Sequence, residues 1–324
     1  MSGSGRIAGD AYRVWRLPLW LLACLALTAV EMLASPQVPL VPEGVTFELE
    51  KGVYVIPDQR VNLVPNVGII VGEKGILVID TGMGPRNAET VLKEVRKLSD
   101  KRILYLTLTH FHPEHGMGAQ AFPPGTRVVV PRAQKDELEA KGADYIKLFS
   151  GFSSQIADLL KPVKLVAPDI VFEHELELDL GGGMVVRLLH FNRAHTRGDS
   201  FVYLPRQKIL FGGDVVVNRF FPIMPDPDAS PRGWLKTLEE LEKLAPAKVV
   251  PGHGAVGDTS LILDLKQYLV HLRGRVQEMD AQGKLLADII TALTPEVQAK
   301  YRDWDNPNWI RNAIERIHAE LKQP

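Results

Sequence analysis

The sequence predicts a mixed α/β (α+β) fold in which two β-rich halves each carry their own helices. Short apolar runs stop abruptly at glycine or polar residues, and amphipathic stretches at helical spacing lie between them. That alternation is the pattern of mixed sheets covered by helices. In addition, several apolar runs end in a histidine or a lone carboxylate beside a small residue.

The elements follow in chain order. "VGIIVG" and "ILVID" flank "EKG" and form a hairpin of two buried strands. "RNAETVLKEVRKL" is a helix, because Ala88, Val91, Leu92, Val95 and Leu98 share one face. "ILYLTLT" and "RVVVP" are strands, and residues 133–161 are helical and more polar. The second half opens with "HELELDLGGGMVVRLLHF", where Leu176, Leu178 and Leu180 alternate with Glu175, Glu177 and Asp179 as in a half-buried strand. "SFVYLP", "KILFGGD" and "KVVPGHG" are further strands. "SPRGWLKTLEELEKL" is an amphipathic helix with Trp234, Leu235, Leu238, Leu241 and Leu244 on one side. From Thr259 the pattern is helical to the end, with breaks expected near Thr294-Pro295 and at "DWDNPNW". These last helices either cover a sheet face or pair with another subunit. No short-period repeat is visible.

Composition narrows the function classes. With 45% hydrophobic residues, the 324-residue chain can bury a large core, and a formal net charge of -1 argues against a broad nucleic-acid surface. Arg6, Arg13 and Arg16 precede an uncharged apolar run at residues 17–30, which is shorter than the roughly twenty residues a spanning helix needs. Residues 1–35 therefore read as a signal peptide or an N-terminal membrane anchor, with the protein exported to the periplasm or held at the membrane. A Pro-rich linker at residues 35–44 follows. Cys24, inside the apolar run, is the only cysteine, so the body of the chain has no thiolate to act as nucleophile or ligand.

The chemistry concentrates at strand ends. "LTLTHFHPEH" crowds His110, His112, Glu114 and His115 into six positions. His195 in "NRAHTRGD", Asp214 in "LFGGD" and His253 in "VVPGHG" each stand where an apolar strand stops. These seven groups suffice for two metal ions. Neutral imidazoles and carboxylates suit two zinc ions, with iron or manganese also fitting the donor set. A dication also removes the cost of burying so many like groups together. His174, His190, His271 and His318 lack this context and read as ordinary histidines.

"THFHPEH", "AHTRGD", "FGGD" and "PGHG", in that order and preceded by "VIDTG", resemble the metallo-β-lactamase-fold hydrolase superfamily across residues 53–257. The resemblance implies a four-layer α/β/β/α sandwich with the metals at one edge between the sheets. With the N-terminal run and the helical C-terminal pattern, three parts of the chain are expected: a signal peptide or anchor at 1–35, a metallo-β-lactamase-like domain at 36–258 and a C-terminal helical extension at 259–324. By position, His110, His112 and His195 would hold the first metal. Glu114, His115 and His253 would hold the second, with Asp214 bridging and Asp80 orienting a ligand histidine. The family usually has Asp where this chain has Glu114, which leaves Glu114 as a ligand with an adjusted loop, a ligand of a weaker site, or a base.

The implied activity is a zinc-dependent hydrolase: a metal-bound hydroxide cleaves an ester, thioester, lactone or amide bond, with β-lactams among the candidates. A protonated Glu114 or Asp214 would supply the leaving-group proton. Asp214 follows the pattern of thioester hydrolases, lactonases and phosphodiesterases of this superfamily, whereas its zinc β-lactamases carry Cys or Ser near that place. The alternatives are a zinc β-lactamase proper, a non-haem iron oxygenase on the same fold, and a non-enzymatic metal-binding protein. The implied partner is a small-molecule substrate and not nucleic acid, with the N-terminal run as a point of membrane association.

Overall fold

The computed structural model describes residues 37–322. The expected signal or anchor segment at residues 1–35, with Cys24, lies outside the described residues. Among those described, no helix is long and apolar enough to cross a membrane.

Two sheets stack face to face. The first runs β1 (Phe47–Glu50), β2 (Val53–Ile56), β3 (Val67–Val71), β4 (Ile76–Ile79), β5 (Ile103–Thr107), β6 (Arg127–Pro131) and β7 (Ile170–Phe172) in spatial order. Its first four strands are antiparallel, and β4 to β7 are parallel. The second sheet has five strands: β8 (Glu175–Asp179), β9 (Val185–Leu189), β10 (Phe201–Leu204), β11 (Ile209–Phe211) and β12 (Lys248–Val250). Only β11 and β12 are parallel in it.

The layers follow from the two-residue period of strand side chains. In β3 and β4, Ile70, Leu77 and Ile79 point into the inter-sheet core. There they meet Val186, Leu188, Val202, Leu204, Ile209 and Phe211 of the second sheet. The alternate residues Val67, Ile69, Ile76 and Val78 face outward and are covered by Val91 and Val95 of helix α1 (Gly84–Leu98). On the far side, Phe201, Tyr203 and Leu210 pack against Trp234, Leu238 and Leu241 of a helix at Pro231–Lys243. The expected α/β/β/α order is therefore present.

Helices α2 (Pro113–Gly116), α3 (Arg132–Ser150) and α4 (Ser154–Leu160) lie in the first half. Helix α5 is Pro231–Lys243, capped by the Ser230 hydroxyl on the Gly233 N–H. Helices α6 (Ser260–Ala281), α7 (Leu286–Lys300) and α8 (Trp309–Leu321) complete the chain. Leu265, Leu269, Ile289, Leu293, Ile310 and Ile314 bury against the outer face of the second sheet and α5, so the C-terminal helices cover a sheet face.

One expectation about this region is corrected. Pro295 does not break the helix and lies inside α7. Ile289, Leu293 and Val297 on one face of α7 are fully buried, and that packing outweighs the lost proline hydrogen bond. The break falls instead at residues 282–285, where Gly283 takes a left-handed φ of 74° and caps α6. The break at "DWDNPNW" is where expected, between α7 and α8.

Trp234 ties three of these parts together. It is fully buried and donates its Nε1–H to the Val215 carbonyl at 2.9 Å, beside Asp214. Its ring stands 5.8 Å from that of His195. Trp234→Ala is expected to lower unfolding free energy by about 3–5 kcal/mol, the usual range for a large buried aromatic, read from urea denaturation. A loss below about 1 kcal/mol would contradict this packing.

Candidate metal centre

All seven sequence-selected side chains meet at one edge of the sandwich, and all are buried. Strand β5 delivers the turn carrying His110 and His112, and Glu114 and His115 lie on the single turn of α2. Asp214 follows β11, and His253 follows β12, its parallel neighbour. His195 lies in the loop between β9 and β10.

Three groups have potential ligand atoms within 4.8 Å of one another: His110, His112 and His195; His110, His115 and Asp214; Glu114, His115 and His253. The rings of His110, His112 and His195 form a nearly equilateral triangle with centroids 4.6, 4.7 and 4.8 Å apart. Asp214 stands between the groups. Its Oδ2 lies 3.8 Å from His195 Nε2, while its Oδ1 lies 3.3 Å from His115 Nε2 and 3.5 Å from His253 Nε2.

The outward nitrogens are fixed. His195 Nδ1 is 2.9 Å from the Ile223 carbonyl and His253 Nδ1 is 2.9 Å from the Val64 carbonyl. A carbonyl only accepts, so each Nδ1 carries the hydrogen and each Nε2 turns a lone pair inward. His115 Nδ1 is 2.8 Å from Asp80 Oδ2. Asp80 is held in turn by the Thr109 N–H and hydroxyl at 2.7 and 2.8 Å. Its own backbone is left-handed, with φ 65°, a conformation that persists where the surroundings enforce it. Gly252 is required by close approach: a Cβ there would stand 2.1 Å from Asp214 Oδ1.

Five polar atoms of the cluster are not satisfied. His110 Nε2, His112 Nε2, Glu114 Oε2, His115 Nε2 and Asp214 Oδ1 are buried with no hydrogen-bond partner. Each such group costs about 1–3 kcal/mol if left unpaired, so five in one cluster point to a guest that satisfies them. Nitrogen and carboxylate donors fit divalent zinc, iron or manganese, and the residues present therefore suit a metal centre.

Electrostatics in the metal-free chain match that reading. Burial, with the neighbouring imidazoles adding to it, pushes His110 and His112 well below the usual histidine range, and burial lowers His195 as well. Burial also opposes charge on His115, but Asp214 and Asp80 outweigh it and raise that imidazole well above 6.5. For Asp214, burial is outweighed by His253 and His115, and the carboxyl is held well below its usual value. Burial pushes Glu114 up to about 7.

Several contributors carry no sequence signal of their own. The Val64 and Ile223 carbonyls are backbone atoms and leave no residue-type signature. Asp199 lies in the quoted "AHTRGD" and accepts from the Ala194 and Thr196 N–H groups and the Thr196 hydroxyl, shaping the turn that bears His195. The Tyr145 ring stacks on His112 at 4.9 Å, and Phe220 stacks on His253 at 5.6 Å. Phe221 and Met224 pack in the core, as apolar loop residues usually do.

The family model for the metallo-beta-lactamase superfamily matches residues 61–253. The chain belongs to that superfamily. It is 26% identical over 219 residues to a linear primary-alkylsulfatase of Pseudomonas sp. (strain ATCC 19151), covering 57% of this chain and 40% of that one. It is 26% identical over 204 residues to a metallo-beta-lactamase type 2 of Bacillus cereus, covering 62% of this chain and 71% of that one. A solved sec-alkylsulfatase from Pseudomonas sp. shares the fold with a TM-score of 0.68 at 16% identity, over 86% of this chain and 50% of that one. Residues 1–258 cannot supply that share, so the likeness of fold reaches into the C-terminal helices. The chain spans half or less of these two alkylsulfatases. These superfamily relatives are hydrolases.

Two outcomes test the centre. Zinc has to displace protons from Glu114 and His115, so its affinity should fall by about tenfold per pH unit for each proton lost as pH drops below about 7. Calorimetric titration at pH 6 and 8 measures this, and equal affinities would contradict it. Asp80→Ala should weaken zinc binding by about 10–100-fold, because His115 loses the group that fixes its ring, read by competition with a chromogenic chelator.

Proposed function

We propose that the chain is a dinuclear, zinc-dependent hydrolase of ester-type bonds, with esters, thioesters, lactones, sulfate esters and cyclic amides as the substrate range. The observation that carries this reading is the set of five unpartnered, buried nitrogen and oxygen atoms on the residues of one cluster. In it, His110, His112 and His195 would hold one ion. Glu114, His115 and His253 would hold the other, and Asp214 would reach both. Bound there, divalent cations acidify water to near-neutral pKa and stabilise negative charge on the departing group.

The chain's own residues supply the rest. The Ile223 and Val64 carbonyls and Asp80 hold three imidazoles in the tautomer that binds metal. Burial of all seven side chains keeps bulk water from the centre. Asp214, its carboxyl held well below the usual range by His253 and His115, would serve as ligand. Glu114, pushed up to about 7 in the metal-free chain, would give up its proton as an ion binds, and its unpartnered Oε2 would then serve as a ligand atom. The alkylsulfatase relative brings sulfate esters into the range, beside the β-lactams of the second relative.

A panel of chromogenic cephalosporin, thioester, lactone and aryl sulfate substrates tests the proposal. At least one should be hydrolysed by the zinc-loaded protein, lost on chelation and restored by zinc. His112→Ala should lower the rate by at least about a hundredfold. Full activity in that variant, or iron in the purified protein together with no hydrolysis of any substrate, would overturn the reading.

A further inference from the structure

We propose that Arg60 anchors an anionic substituent of the substrate, and that the Asp305 carboxylate occupies this anchor until substrate displaces it. The inference deepens the hydrolase reading and rests on it.

A cavity of about 250 Å³ runs from His253 to the turn between α7 and α8, past the loop that joins β2 to β3. It reaches the metal-ligating cluster at His253, whose ring is covered on one side by Phe220. Apart from His253, Arg60 is the sole basic residue lining it, and Asn62, Asn218 and Asn306 add amides. Two acids line it as well. The Asp58 carboxylate is committed to the Arg60 and Gly254 backbone N–H groups, at 3.0 and 2.7 Å. Asp305 pairs with the Arg60 guanidinium. Asp305 is thus the carboxylate that can leave.

The geometry allows that exchange. The Asp305 backbone is pinned, its N–H donating to the Arg219 carbonyl at 2.8 Å and its carbonyl accepting from the Phe221 N–H at 3.1 Å. Only its side chain need turn. Both partners are half exposed, and an ion pair so open to water contributes little, so an incoming anion can replace it. The guanidinium fork matches a carboxylate or a sulfate equally well. Arg60 and Leu63 hold left-handed backbone at φ 55° and 58°, and Asn306 does so across the cavity at 58°. An asparagine adopts that conformation readily, but Arg60 and Leu63 keep it only where their surroundings impose it, and such positions concentrate at ligand clamps.

The other reading makes the pair a staple that fastens the α7–α8 turn to the β2–β3 loop. The two readings differ in sign. A staple is broken equally by either variant, whereas an anchor is lost in Arg60→Ala and freed in Asp305→Asn. The probes are 4-acetoxybenzoate and its neutral methyl ester as substrates, with 4-acetamidobenzoate and its methyl ester for calorimetric binding, on the zinc-loaded full chain. Wild type should bind 4-acetamidobenzoate more tightly than the methyl ester. Arg60→Ala should weaken the anion by about tenfold and leave the methyl ester unchanged, while Asp305→Asn should tighten the anion several-fold. KM for 4-acetoxybenzoate should move with these affinities while kcat stays near wild type. Failure of wild type to prefer the anion, or shifts of the same sign in both variants, would overturn the anchor. If wild type hydrolyses neither ester, that counts against the hydrolase reading, and calorimetry still decides the anchor.

Discussion

The structure depends on one constraint: seven polar side chains are buried at a sandwich edge, and five of them carry a nitrogen or oxygen with no hydrogen-bond partner. A folded protein cannot bear that arrangement cheaply without a partner at the centre. Much of the local design serves to keep it. Parallel strand ends bring Asp214 and His253 side by side, and Gly252 lets the backbone pass within reach of the Asp214 carboxylate. Backbone carbonyls from two distant loops fix His195 and His253, and a strained Asp80 fixes His115. The rigid double sheet behind these contacts gives the site its precision.

How far the sequence revealed this varies with the physics of each part. Strands with two buried faces read clearly as apolar runs, and the ligand side chains are chemically conspicuous where such runs end. Pro295 misled because local propensity argues against proline in a helix, while Ile289, Leu293 and Val297 supply tertiary packing that propensity does not see. Gly283 was the better stop signal. Strands β1, β2 and β7 are short and lie at or near the edges of their sheet, so their patterns are weak. The Val64 and Ile223 carbonyls could not be found from residue types at all, since any residue offers the same atom.

The C-terminal helices change character once the packing is known. Their apolar faces continue the core of the second sheet, and the turn between α7 and α8 reaches the rim of the cavity beside His253. Residues far beyond the His110–His115 run in sequence therefore help to shape the approach to it, through the Asp305 backbone bonds to the 219–221 loop. The fold likeness to a sec-alkylsulfatase extends over the same helices. Family membership accounts for the sandwich and its edge, while this rim is where the chain's own selectivity would arise.

The most direct test is anomalous diffraction from crystals of the zinc-loaded protein, collected on both sides of the zinc edge. The account predicts two peaks per chain, one among His110, His112 and His195 and one among Glu114, His115 and His253, each within about 2.0–2.2 Å of its nearest nitrogens and oxygens and both touching Asp214. Empty density at the cluster, or zinc bound elsewhere while the seven side chains stay without a guest, would contradict it.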